Sequence, residues 1–146
     1  MREGAEADVE WMGHAPLEAL QVYEDALRDA GFDIGARKEV AGVVYHEAYL
    51  RRGVPIALVA WLFSGALHAR MNPRTKAVAV LRPTSNGTRL RFILLREDDL
   101  FNLEDAAEGV ALPSGLVEDL PFARRRDRLL RTLRAHGLKP RLLGEP

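Results

Sequence analysis

Tyr45, His46, Glu47 and Tyr49 stand close together in a segment rich in β-branched and aromatic residues. In an extended chain, alternate side chains point to opposite faces, so Tyr45, Glu47 and Tyr49 share one face and His46 takes the other. That face can form a small polar ligand site, with Glu47 as base and the tyrosines orienting a bound molecule. The plainer role, which we favour, has the tyrosines covering sheet surface with wet hydroxyls while Glu47 pairs with an arginine of a neighbouring strand.

Other chemistry is thinly supplied. The four histidines, His14, His46, His68 and His136, have no two at the close spacing that metal ligands on one element need, and His46-Glu47 lacks the second histidine of the zinc-protease motif. There is no cysteine, which excludes disulfides, thiolate catalysis and cysteine-held zinc or iron. Ser64-Gly65 and Ser114-Gly115 lack the Gly-x-Ser-x-Gly frame of an exposed nucleophile, and no glycine-rich phosphate loop is present. We therefore expect no catalytic residue, no metal and no cofactor.

Arginine is the most informative residue type. Of 21 basic residues only Lys38, Lys76 and Lys139 are lysine. The planar guanidinium binds phosphate or carboxylate in a bidentate manner, so Arg82, Arg89 and Arg91, with Arg124, Arg128, Arg131 and Arg134, are candidates for meeting nucleic acid or an acidic protein. Arginine bias in the coding genome and pairing with acids of the same chain are the competing explanations. Single-strand binders also interleave exposed aromatics with their basic residues, whereas Phe92 shares its face with leucines.

The acids available for such pairing are segregated. Net charge over 146 residues is zero, yet Met1 to Ala36 has nine acids against Arg2 and Arg28, a local net of −7. Arg37 to Arg96 carries +9, Glu97 to Leu120 carries −8 and Pro121 to Leu143 carries +7. Screening acts over about 8 Å in physiological salt, so each block matters only to a close neighbour. The simplest neighbour is another block of the same chain.

The elements that must position these residues follow from periodicity and punctuation. Pro16 at a helix start, an apolar face of Leu17, Leu20, Tyr23, Leu27 and Ala30, and Gly31 as terminator predict a helix over Pro16 to Ala30. Val43 to Leu50 predicts a strand. Its β-branched and aromatic content also favours a strand for Val54 to Phe63, although apolar runs of this length suit a buried helix too. Ala77 to Leu81 and Thr88 to Leu95 flank Asn86-Gly87 and predict a hairpin. The second strand would put Leu90, Phe92 and Leu94 on one face and Arg89, Arg91, Ile93 and Leu95 on the other. A short helix is expected around Leu103 to Glu108, and a longer one capped by Asp119 should run to Ala135 and stop at Gly137. On that last helix Arg126 falls within the apolar arc of Phe122, Leu129, Leu130 and Leu133. It should therefore form a structural ion pair with an acid from the first helix or from Glu97 to Asp105.

Together these elements predict the α+β class: an antiparallel sheet of about four strands with an N-terminal and a C-terminal helix packed on one face. Residues 1–14 are expected to be an acidic flexible leader, with Trp11 either a docking anchor or a disordered aromatic. Residues 15–137 form a single domain and 138–146 a mobile tail. The acidic N-terminus offers no uninterrupted apolar core for a secretory signal, and the 17 uncharged residues from Gly53 to Ala69 suit buried core better than a membrane span, so the expected location is cytoplasmic. The sequon Asn86-Gly87-Thr88 then reads as a polar turn. The functional expectation is a non-enzymatic protein-interaction or regulatory module that meets an acidic partner. Homodimerisation, expected from the apolar run Val54 to Phe63, accompanies it. Nucleic-acid binding is the first alternative and a small-molecule site at Tyr45, Glu47 and Tyr49 the second.

Overall fold

Apolar and polar residues alternate from the start of the chain: Ala5, Ala7, Val9 and Trp11 are separated by Glu6, Asp8 and Glu10. That period of two fits a half-buried strand. The computed structural model describes residues 2–51 and 74–136, and the backbone of 141 and 142. In it Gly4–Met12 form strand β1, with Ala5, Val9 and Trp11 buried. The expectation of a flexible acidic leader is thus corrected. Acidic composition had masked a strand whose acids all lie on one face.

Helix α1, Pro16–Asp29, opens with proline in its first turn and ends beside Gly31, whose φ of 93° suits a residue without Cβ. It buries Leu20, Tyr23 and Leu27 and leaves Leu17 exposed. Strand β2, Phe32–Val40, follows, with a register shift between Ile34 and Ala36; it was not foreseen, because it is exposed from Gly35 to Val40 and carries charged residues there in place of a core-facing apolar row. A tight turn at Ala41 and Gly42, both with positive φ, leads to β3, Val43–Leu50, as expected. Alanine at φ 52° is rare, so no Asn-Gly or Asp-Gly signal marked this hairpin. The expected strand at Val54 to Phe63 lies outside the described residues.

Strands β4, Thr75–Thr84, and β5, Gly87–Arg96, form the expected hairpin and extend beyond its predicted limits. The turn residues are Ser85 and Asn86, and neither has a positive φ. Gly87 is needed for another reason: a Cβ there would lie 1.9 Å from the Trp11 carbonyl oxygen, so glycine lets β1 close against β5. A short helix α2, Leu103–Ala107, is capped by Asn102 and Asp105 in reciprocal fashion. Helix α3, Leu120–Ala135, is capped by Asp119, whose carboxylate accepts the Phe122 N–H at 3.0 Å. The backbone of β6, Arg141–Leu142, pairs with Val9 and Glu10.

The strand order is β2-β3-β4-β5-β1-β6, antiparallel throughout. Five long strands, rather than about four, make the α+β sheet, with β1 inserted beside β5. One face carries α1 and α3, and between them lies the larger core of Trp11, Tyr23, Phe32, Phe92, Leu94 and Leu129. The other face carries α2 and its flanking connection, where Phe101, Leu103 and Ala106 pack on Tyr45, Val78, Val80, Ile93 and Leu95. Apolar residues on both faces of β4 and β5 explain why those strands read as nearly continuous apolar runs.

Candidate functional site

Tyr45, Glu47 and Tyr49 share a sheet face, the one beneath α2, but they do not form one site. One Glu47 oxygen accepts the Tyr49 hydroxyl, and the other accepts the Leu103 N–H at 2.8 Å in the first turn of α2. The Arg74 guanidinium lies 4.8 Å from the Tyr49 ring centroid and bridges to Glu97 at 2.6 Å. Burial, reinforced by the bond to Glu47, pushes the Tyr49 hydroxyl up to about 12. With both oxygens engaged, Glu47 docks α2 onto the sheet. Its partners are a tyrosine and a backbone amide, not the expected arginine.

His46 faces the opposite way, as expected, and is fully buried beneath α1. Its Nε2 lies 3.0 Å from Glu24 Oε2, and the Tyr23 ring meets it edge-on at 5.4 Å between centroids. Burial lowers its pKa below the usual histidine value, Glu24 opposes that shift, and the charges of Arg37 and Arg28 add to it. When Nε2 donates to Glu24, Nδ1 holds the lone pair and has no hydrogen-bond partner. Protonation would create a buried N–H with nothing to receive it. This pair was missed because the wheel of α1 assigns Glu24 to the polar side, and only the sheet beneath turns it inward.

Tyr45 belongs to a second grouping on the α2 face. It is aligned across the sheet with Val80, Arg91 and Asp8, while Arg82, Arg89 and Glu10 form the next row. Arg82 and Arg89 stand directly opposite each other, a like-charge pairing that costs stability unless something lies between them. Arg89 Nε reaches Asp8 at 3.4 Å, and Arg91 Nη2 donates to Glu6 at 2.8 Å. The −7 and +9 blocks are therefore joined along β1 and β5. Among the described residues no carboxylate pairs with Arg82, and Arg91 Nε is buried without a partner. The segment after α2 roofs this row and leaves a cavity of about 360 Å³.

The arginines of α3 lie on the other side of the sheet. The single surface expected from Arg82, Arg89, Arg91 and the last helix is thus divided between opposite faces. On α3, Arg124, Arg128 and Arg131 are exposed at i, i+4 and i+7, opposite the buried Phe122, Leu129 and Leu133. None of the three has a carboxylate partner among the described residues. Arg134 is engaged. Arg126 does meet acids, but they are Glu118 and the adjacent Asp127, not the first helix or Glu97 to Asp105. The start of α3 turns its flank toward residues 116–119 and not toward α2.

Among the described residues no group of three or more histidines and carboxylates could hold a metal ion. No helix among them is long and apolar enough to cross a membrane. No protein-family model matches the chain, and no curated protein matches it in sequence.

Proposed function

We propose that the chain is a non-catalytic binding module that docks an acidic protein surface on the outer face of α3. The observation carrying this reading is the row of Arg124, Arg128 and Arg131, exposed and without carboxylate partners among the described residues, while Arg74, Arg89, Arg91 and Arg96 are paired. Successive members are about 4.5 to 6 Å apart along the axis, given the 1.5 Å rise of a helix. That spacing suits carboxylates on a facing helix or strand, each met by a planar fork. Association as a homodimer is part of the proposal. It rests on the apolar run Val54 to Phe63, and light scattering should give twice the 16.3 kDa of one chain.

Nucleic acid is the competing partner for the same three arginines. Against it stand the zero net charge and the burial of Phe122, the aromatic side chain of α3. Fluorescence anisotropy separates the readings, using a labelled glutamate-rich peptide, duplex DNA and single-stranded RNA at low salt. The expected result is saturable binding of the peptide, lost when Arg124, Arg128 and Arg131 are all changed to Gln. Peptide binding that survives the triple change, or no binding at all, overturns the assignment. Binding of DNA or RNA that is tighter than the peptide and falls steeply with salt transfers it to nucleic acid.

A further inference from the structure

The arginine-lined cavity under the segment after α2 lies on the opposite face of the sheet from the α3 row, and its chemistry is different. Its floor is the sheet: Tyr45 and Val80 are buried there, and Arg82, Arg89 and Arg91 ring them. Its roof is the turn where α2 ends. Gly109, at φ 98°, and the Val110 N–H donating to Asp105 C=O at 3.0 Å swing the chain back so that Val110 and Leu112 cover the sheet.

Four features converge on an anion. Among the described residues no carboxylate lines the cavity. Glu6 and Asp8 hold Arg91 and Arg89 from the β1 side, each through a single contact, so most of their guanidinium donors remain uncommitted. Arg82 has no partner among the described residues, yet it faces Arg89 directly across the hairpin, and an oxyanion between them turns a repulsive pair into a clamp. Tyr45 adds a hydroxyl that makes no hydrogen bond among the described residues. The remaining wall is apolar, from Val80, Ala106, Val110 and Leu112, and about 360 Å³ exceeds what an inorganic ion fills while lying within the range of small-molecule sites.

We propose that this cavity binds a small organic anion, a carboxylate or phosphate monoester on a short apolar body. The head group lies between Arg82 and Arg89 within reach of Arg91 and the Tyr45 hydroxyl, and the apolar body lies against Val80 and the roof. Titrations followed by backbone amide resonances test it, with hexanoate, hexyl phosphate, inorganic phosphate and hexylamine as probes. Hexanoate or hexyl phosphate, or both, should give saturable shifts confined to the β4–β5 hairpin and residues 106–112, and the tighter of the two identifies the head group. Arg82→Gln, at an exposed position that leaves the core intact, should weaken binding about tenfold, the effect of losing one charge-assisted contact. Tyr45→Phe should weaken it less, and the α3 triple variant should bind like the parent.

Four results overturn the proposal: no saturable shift with either organic anion, equal affinity in folded Arg82→Gln, hexylamine binding as well as hexanoate, or shifts that map to α3. Inorganic phosphate binding as tightly as hexyl phosphate would refute the apolar half of the site. Because the α3 variant is a separate arm, failure here is distinguishable from failure of the acidic-partner reading.

Discussion

At the scale of single residues, His46 shows how burial and one partner set a titration. Its conjugate acid is disfavoured in the folded state, so the folded chain binds fewer protons than the unfolded chain as pH falls. The stability this group contributes is complete above the unfolded histidine pKa, about 6.5, and is lost progressively below it. One proton bounds the slope at about 1.4 kcal/mol per pH unit. Urea unfolding of the parent at pH 7.5 and pH 5.5 should show a decline that is shallower in His46→Gln; equal declines would remove the group from the account. Arg126 teaches a different lesson. Its side chain is 19% exposed and its acids, Glu118 and Asp127, are more exposed still, so solvent screens the pairs and the aliphatic stem carries much of the packing. Arg126→Met should cost about 1 kcal/mol or less. A loss of several kcal/mol by denaturant titration would show that the charge itself is required.

At the scale of elements, β1 extends the sheet beyond β5. It pairs with β5 along Gly4 to Met12 and contributes Trp11, which is fully buried in the core shared by α1 and α3. Trp11→Ala should therefore cost about 3–5 kcal/mol, as for other large aromatics removed from a core. A cost under 1 kcal/mol, measured by urea denaturation, would restore the flexible leader. The ends of elements were the most legible part of the sequence, because caps act locally. Pro16, Gly31 and Asp119 stand where α1 begins, where α1 ends and where α3 begins. The β2–β3 hairpin escaped for the converse reason. Its turn forces Ala41 into a left-handed conformation that alanine does not advertise, and most of β2 is exposed and charged, with no core-facing apolar row.

At the scale of the whole molecule, zero net charge comes from alternating blocks that the fold sets against one another. Glu6–Arg91 and Asp8–Arg89 link the first block to the second, Lys38–Glu104 and Arg74–Glu97 link the second to the third, and Arg126–Glu118 links the third to the fourth. Such pairs are individually worth about 0–1 kcal/mol and weaken in salt. The thermal midpoint should therefore fall as sodium chloride rises from about 0.01 M to about 0.1 M, over which the screening length contracts from about 30 to about 10 Å. The slope should flatten in Glu6→Gln/Asp8→Asn. A midpoint that rises with salt would mean that Arg82, Arg124, Arg128 and Arg131, which meet no carboxylate among the described residues, outweigh the pairs.

Local chemistry in the sequence was enough to determine the α+β class, the limits of α1 and α3, the short α2, the β4–β5 hairpin and the alternation that puts Arg89 and Arg91 on one face. Those features depend on side-chain period, caps and turns, which act within a few residues. Only the tertiary structure decided that β1 lies beside β5, that α3 and the hairpin arginines occupy opposite faces, and that Glu47 is spent on docking α2. Each is a pairing between residues far apart in the chain, selected by which faces must be buried together, and no local pattern encodes the partner. The candidate sites divide the same way. Tyr45, Arg82, Arg89 and Arg91 were recognisable by residue type, but the cavity they share exists because strand register aligns them and the chain after α2 folds back over them.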